Sequence, residues 1–276
     1  MEQAELTAQG APMASDAPAA EELVRIENLS LEYKLEGSKQ TTLALDDINM
    51  SFTKDDCVLV LGPSGCGKST LLKIIAGLLE PTSGKVYFEG KEAHGIDPRR
   101  AVVFQQPVLY PWMTVAENVG FGLKIRKVPK EERRERVEAY LKEVGLEGFG
   151  ESKAYELSGG MRQRAALARE LVNDPHMILM DEPFGALDAL TRVKMQDLTR
   201  DIWREDHKSV FMITHDVDEA LMLGTKVFVM SARPGRVVRV IDAKFTYDAK
   251  DNVDEVRYSP EYLQLRKEIL HLINEM

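Results

Sequence analysis

Nine consecutive residues, Gly62-Pro63-Ser64-Gly65-Cys66-Gly67-Lys68-Ser69-Thr70, carry the spacing GxxxxGK[ST] between an apolar run and a helical pattern. Glycines at these positions let the backbone curl so that successive N–H groups point inward at a phosphate, and the following helix adds its positive N-terminal end. Lys68 brings a point charge for the outer phosphates, and the Ser69 hydroxyl suits Mg²⁺. Three further stretches bear chemistry. The apolar run Met177-Ile178-Leu179-Met180 delivers two carboxylates, Asp181 and Glu182, at its end, where ligand groups of open parallel sheets gather. Ser209 to Thr214 is a second apolar run, and it ends on His215-Asp216. Leu157-Ser158-Gly159-Gly160-Met161 opens a helical pattern with Ser158 as N-cap, which makes its start an anion site.

The elements that must hold these residues follow from hydrophobic period. Cys57 to Leu61 reads as the strand before the glycine-rich loop, and Leu71 to Leu78 as the helix after it. Leu23 to Leu31 alternates as a first strand, with Tyr33 after it. A turn at Glu36-Gly37-Ser38-Lys39 and a second strand over Thr42 to Phe52, bent at Asp46-Asp47, complete an edge that could wrap over a nucleotide base. Lys85 to Phe88 and Ala101 to Phe104 are short strands. The latter runs into Gln105-Gln106-Pro107, where the proline stops it.

From Pro111 to Ser158 the character becomes helical. Val115 to Ile125 reads as one helix and Pro129 to Val144 as another, with Val137, Tyr140, Leu141 and Val144 on one face and Gly145 as the stop. Helices are expected over Ser158 to Val172, Ala189 to Asp206 and Val217 to Leu223, and strands over Val227 to Met230 and Arg236 to Ile241. Tyr262, Leu265, Ile269, Leu272 and Ile273 give the segment Tyr258 to Met276 the pattern of an amphipathic helix that docks on the body.

Composition narrows the classes. The 276 residues suit one large α/β domain or one with an insertion, and 44% apolar with 29% charged residues is ordinary for a folded globular chain. A net charge of −9 argues against nucleic acid as the main partner, because no basic excess exists to neutralise a phosphate backbone. Cys57 and Cys66 lie in no metal-ligand or CxxC pattern, which fits a reducing compartment. Cys57 reads as a buried small hydrophobe and Cys66 as a small loop residue rather than a redox group. No apolar run has the length of a membrane span. The first 22 residues, rich in Ala, Glu and Gln, have neither a basic start nor an apolar core, so they read as a disordered tail and not as a signal peptide.

Taken together, the ordered motifs from Leu23 to Ile241 resemble the ATP-binding-cassette (ABC) ATPases: the loop Gly62–Thr70, Gln105, the signature Leu157–Met161, Asp181-Glu182, Ala186-Leu187-Asp188 and His215. The resemblance implies an α/β fold, a P-loop NTPase core of the ABC ATPase type with an antiparallel β subdomain and an inserted helical subdomain. It implies ATP and Mg²⁺ as ligands. Gly62, Pro63, Ser64, Gly65, Cys66, Gly67, Lys68, Ser69 and Thr70 would hold the phosphates, Ser69, Gln105 and Asp181 the metal, and Tyr33 the adenine by stacking. Glu182 would be the general base, His215 the switch histidine at the γ-phosphate, and Gln105 a neighbour of the attacking water. Ser158, Gly159, Gly160 and Asp188 would act in trans, on the ATP held by a second subunit, so that two ATP molecules are sandwiched in a head-to-tail dimer.

The family usually drives transport, so a chain without a membrane segment must borrow an integral membrane permease, and indirectly a solute-binding protein. Pro111-Trp112-Met113 would face that permease, which would hold the chain at the cytoplasmic face of the membrane. The runs Phe104 to Pro107, Pro111 to Val119, Asp181 to Asp188, Met230 to Arg236 and Ser259 to Tyr262 resemble the ATPases of nitrate, sulfonate and taurine importers. Gln106 and Leu109-Tyr110 depart mildly from that pattern. The alternative is a soluble ABC ATPase acting on ribosome or DNA, but such proteins usually carry two cassettes or long coiled-coil insertions. A P-loop small-molecule kinase has no use for Ser158-Gly159-Gly160. The expected division is a tail over 1–22, an ATPase domain over 23–241 with its helical subdomain at about 108–160, and an extension over 242–276 ending in a helix.

Overall fold

The protein is described by a computed structural model at residues 22–34, 41–185, 187–205, 208–243, 245 and 253–276. The tail expected over 1–22 therefore lies outside the described residues except for Glu22, as do the turn expected at 36–39 and Ala186.

Two sheets carry the architecture. A six-stranded sheet has the order β10-β9-β3-β8-β7-β6, formed by β3 (Cys57–Leu61), β6 (Arg100–Val103), β7 (Met177–Asp181), β8 (Ser209–Ile213), β9 (Lys226–Met230) and β10 (Val237–Asp242). All its pairings are parallel except the edge pair of β10 with β9. A four-stranded antiparallel sheet has the order β2-β1-β4-β5, from β1 (Glu22–Lys34), β2 (Thr41–Thr53), β4 (Ser83–Phe88) and β5 (Lys91–Glu92).

β3 is central and buried along its whole length, as a parallel strand covered on both faces must be. Its period of two assigns the faces. Cys57, Leu59 and Leu61 join the core under α6 (Ala189–Arg204) and α7 (Val217–Leu223), with Met195, Ile202, Trp203 and Leu221. Val58 and Val60 join the opposite core, with Phe52 and Ile48 of the antiparallel sheet and with Leu71 and Leu72 of α1 (Lys68–Ile75). The glycine-rich loop thus leaves the best-anchored strand of the molecule.

A third core is helical. Val115 and Val119 of α2 (Val115–Val119), Leu123 of α3 (Phe121–Ile125), Val137 and Leu141 of α4 (Lys130–Glu143), and Ala165 and Ala168 of α5 (Gly159–Leu171) pack together. The single helix expected over Val115 to Ile125 is two helices, broken at Gly120 (φ −77°, ψ 1°), which ends α2 and starts α3. A Cβ on Gly120 would stand 3.1 Å from Val137 Cγ2 and 3.2 Å from the Ala116 carbonyl, so the close approach of α4 favours a glycine at the break. Thr114 starts α2 with a complete capping box to Glu117.

Other boundaries shift by local chemistry. α1 begins at Lys68 rather than Leu71, with Gly67 at φ 100° as its N-cap, so the Lys, Ser and Thr of the motif occupy its first turn. Tyr33 lies within β1 instead of after it, and Asp47 takes φ 49° where the register of β1 on β2 slips, at the expected bend. The C-terminal segment is two helices, α8 (Val253–Tyr258) and α9 (Pro260–Asn274), because Ser259 caps α9 and Pro260 occupies its first turn. α9 docks on the body through Tyr262 and Ile269, both buried in the core under α6 and α7. The Tyr262 ring meets Phe245 edge-on at 5.2 Å, and its hydroxyl donates to Asp218 Oδ1 at 2.6 Å.

Candidate active site

The phosphate loop occupies residues 62–67, between the buried β3 and α1. Lys68 is 5% exposed, and its ammonium donates to the carbonyls of Gly62 (2.7 Å) and Pro63 (3.1 Å). It has no ion-pair carboxylate among the described residues, so its charge is held by neutral carbonyls and stays available to an anion. Cys66 is buried beside it. Burial pushes the thiol up, against the pull of the Lys68 charge, so it is a packing residue and not a thiolate at neutral pH.

The sheet brings the distant carboxylates to this loop. Ser69 Oγ donates to Asp181 Oδ1 at 3.0 Å, joining the first turn of α1 to the end of β7. Burial pushes the Asp181 carboxyl up, the Ser69 hydrogen bond opposes this, and the neighbouring Glu182 charge adds to the rise. A half-buried hydroxyl and carboxylate in contact form an oxygen-only donor set that a small hard cation such as Mg²⁺ would enter, and its charge would relieve the burden on Asp181. The residues therefore fit the expected metal.

Glu182 follows with φ 44°, the left-handed region, and its N–H donates to the Ile213 carbonyl of β8 at 3.1 Å. Its Oε2 lies 3.2 Å from His215 Nδ1. The side chain of His215 is 63% exposed and that of Glu182 24%, so the pair stands at the mouth of the site rather than in the core.

Tyr33 projects from β1 with its ring partly exposed, and its hydroxyl is 3.1 Å from Thr70 Oγ1 in the same first turn of α1. Gln105 is exposed on the loop after β6, and among the described residues its side chain makes no hydrogen bond to this group. Ser158, Gly159 and Gly160 are not gathered in either. Ser158 caps α5, accepting from the Met161 N–H at 3.2 Å, and no hydrogen bond or ion pair among the described residues links these three to the phosphate loop. Their neighbour is α6: a Cβ on Gly160 would stand 2.9 Å from Thr191 Cγ2. Asp188 caps α6 by accepting from the Thr191 N–H at 3.0 Å, and the hydrogen bonds from Thr191 hold its exposed carboxyl below the usual carboxylate range. The candidates thus fall into two groups, one around Lys68 and one at the adjoining heads of α5 and α6.

The structure also places here residues outside the motifs that carry the expected site. Arg233 donates from Nε to the Gly65 carbonyl at 2.8 Å, bracing the loop from outside, while Arg236 pairs with Asp46 on β2. Thr214, Asp216 and Glu219 surround the base of His215. The one visible signal was Asp216-Val217-Asp218-Glu219, the form of a capping box at the start of α7.

Comparison with known proteins follows the same lines. The pattern of a family described as ABC transporter matches residues 45–185. The chain is 48% identical over 251 residues to the taurine import ATP-binding protein TauB of Pelagibacter ubique, covering 91% of this chain and 94% of that relative. It is 47% identical over 252 residues to an uncharacterised ABC transporter ATP-binding protein of Methanocaldococcus jannaschii, covering 91% of each. Among solved structures it resembles a dimeric ATP-binding cassette in a post-hydrolysis state bound to ADP and Pi, with a TM-score of 0.72 and 35% identity over 80% of this chain and 99% of that one.

Proposed function

The chain belongs to the ABC transporter family as an ATP-hydrolysing importer subunit, and on that premise we propose that it powers uptake of taurine, another sulfonate, nitrate or a similar small solute through a separate permease. The observation that carries the reading is the 3.0 Å contact of Ser69 with Asp181, which brings the phosphate loop to the strand end that bears Glu182 and, 3.2 Å on, His215.

In this reading Lys68 and the N–H groups of the loop and first turn of α1 bind the outer phosphates, and Tyr33 takes the adenine face. Ser69 and Asp181, with Gln105 drawn in, hold Mg²⁺, which when bound neutralises phosphate charge. Glu182 accepts the proton of the attacking water, and His215 orients that water and contacts the γ-phosphate. Ser158, Gly159, Gly160 and Asp188 serve the nucleotide of a second copy of the chain. Support comes from the exposure of Ser158, Gly159 and Asp188, the lack of a hydrogen bond among the described residues from any of the four to the chain's own loop, and the dimeric cassette that the chain resembles. ATP then closes the dimer, and hydrolysis releases it.

The permease would dock in the helical region. A groove of about 460 Å³ runs between α2–α3 and α4, lined by Met113, Phe121, Arg133, Val137 and Leu141, among others. Trp112 stands 69% exposed beside it, its ring tilted on Tyr110, which in turn packs on Phe121. Among the described residues no helix is long and apolar enough to cross a membrane. The proposal therefore holds the chain at the cytoplasmic face through its permease, with a solute-binding protein acting on the far side.

The test is capture of the tagged full-length chain from detergent-solubilised membranes of its source cells. Copurification with an integral membrane permease, lost in Trp112→Ala without a change in thermal stability, is expected. Exclusive association with ribosomes or DNA would overturn the transport reading.

A further inference from the structure

Glu219 sits in the first turn of α7 at the position where a capping box would turn its carboxylate back to the N-cap N–H. It does not turn back. The Asp216 N–H donates to Thr214 Oγ1 at 3.0 Å, and the Thr214 hydroxyl donates to Glu219 Oε2 at 2.6 Å. The other oxygen, Oε1, accepts from Gln196 Nε2 of α6 at 3.3 Å. Glu219 is 8% exposed, so these bonds are shielded from bulk water. Burial pushes its carboxyl up and the Asp216 charge adds to this, while the Thr214 hydrogen bond and the Arg192 charge on α6 oppose it.

Glu219 also borders a cavity of about 40 Å³, whose wall includes Glu182, Gly185, Arg192 and His215. That volume admits a water, which needs roughly 10–15 Å³ and two to four polar partners. One carboxylate therefore holds the residue immediately before His215 and the helix whose head is Asp188.

We propose that Glu219 is a positioning residue for ATP hydrolysis: it ties the Thr214–His215 turn to helix α6, so that His215 and Asp188 keep a fixed separation when the dimer closes. The inference rests on the proposed roles of Glu182, His215 and Asp188. Without the tie the turn can shift, and a misplacement of about 1 Å at a reacting centre costs up to about a hundredfold in rate. Ground-state binding of ATP runs through the phosphate loop and is spared. The signature is a fall in kcat with KM unchanged that exceeds any loss of folded protein seen in the thermal melt.

The experiment measures kcat, KM for ATP and nucleotide-free thermal stability of the full chain, as parent, Glu219→Met, Thr214→Val and Thr214→Ser, with Glu182→Gln alongside. Glu219→Met, which keeps the length of the side chain and removes both acceptors, and Thr214→Val are expected to lose at least about tenfold in kcat with KM within about twofold, and Thr214→Ser to recover most of the rate. Should Glu219→Met fail to fold, the Thr214 pair carries the test with Glu219 intact. Parental kcat in Glu219→Met, or equal rates in Thr214→Val and Thr214→Ser, with Glu182→Gln inactive, overturns the inference and leaves the site standing. Full hydrolysis by Glu182→Gln would remove the site reading, and this inference with it.

Discussion

Replacing Glu182 by Gln tests the proposed chemistry with little structural disturbance. The amide matches the carboxylate in size, so the left-handed backbone at φ 44° and the N–H bond to Ile213 are kept. The 3.2 Å contact with His215 Nδ1 also survives, because an amide oxygen still accepts. What disappears is the capacity to take a proton. General-base catalysis contributes about 10²- to 10⁴-fold, which corresponds to roughly 3–5 kcal/mol of barrier. A second effect runs the other way. The Glu182 charge is one cause of the raised Asp181 carboxyl, and removing it lets Asp181 settle toward its ordinary value and stay anionic beside Ser69. Nucleotide and metal binding should therefore hold or improve while turnover collapses. The variant is expected to release phosphate at least about a hundredfold more slowly than the parent and to elute as a dimer in Mg²⁺-ATP by size exclusion. Phosphate release within about threefold of the parent would refute the assignment of Glu182 as base, since no base-catalysed step tolerates so small a loss.

Two other perturbations reach separate parts of the molecule. Ser158→Arg fills the head of α5 at the cost of an N-cap worth about 1 kcal/mol, so the chain still folds. Hydrolysis should fall by about 10²-fold or more, as when a preorganised anion-binding donor is lost, while the ATP Kd of the dilute monomer, followed by nucleotide fluorescence, stays within about twofold. A large loss of monomer binding would contradict action in trans. Tyr262→Phe removes the 2.6 Å bond to Asp218 and leaves the 2.8 Å bond from Arg266, for a cost of about 1 kcal/mol at pH 7. Burial pushes the Asp218 carboxyl up, but hydrogen bonds from Arg266 and Tyr262 outweigh it and hold the group below its ordinary value. A depressed carboxyl stabilises the fold above its unfolded pKa, about 3.9, and that contribution is lost as pH falls through the folded value. The Tm gap between parent and variant should therefore be full at pH 5–7 and close below about pH 4. A gap that persists undiminished at pH 2 would exclude the carboxylate as the partner that matters.

What the sequence disclosed depended on whether the cause was local. The strand, glycine-rich loop and helix around Lys68 are set by an apolar run, glycine spacing and helix propensity within about twenty residues, and they are legible. The break at Gly120 is not, because the apolar spacing Val115, Val119, Leu123 runs across it without interruption. The glycine there meets Val137, a residue of another helix, at close range. Glu219 misleads for the same reason. Asp216-x-x-Glu219 has the form of a capping box, yet the carboxylate turns inward to Thr214 and to Gln196 of α6, a partner that only packing supplies. Residue order marks Ser158-Gly159-Gly160 as a helix start suited to an anion, but that no hydrogen bond among the described residues ties it to the phosphate loop is a property of the fold. Gln105 marks the converse limit: its motif position singles it out, while among the described residues its side chain makes no hydrogen bond to the site.

Glu182 joins these two kinds of information. Two consecutive carboxylates on an extended strand project to opposite faces and cannot serve one site. Here Asp181 reaches Ser69 on one side, and Glu182 reaches His215 at the end of the next strand. The turn at φ 44° makes this possible, because β7 stops at Asp181 and the chain swings left-handed at Glu182 toward β8. That conformation costs a residue with a Cβ about 1–2 kcal/mol, which glycine would avoid. Glycine has no carboxylate to offer. The strain at Glu182 is thus the consequence of aiming adjacent acids at Ser69 and at His215, and the N–H bond to Ile213, with β7 fully laddered on β8, is what holds the chain in it.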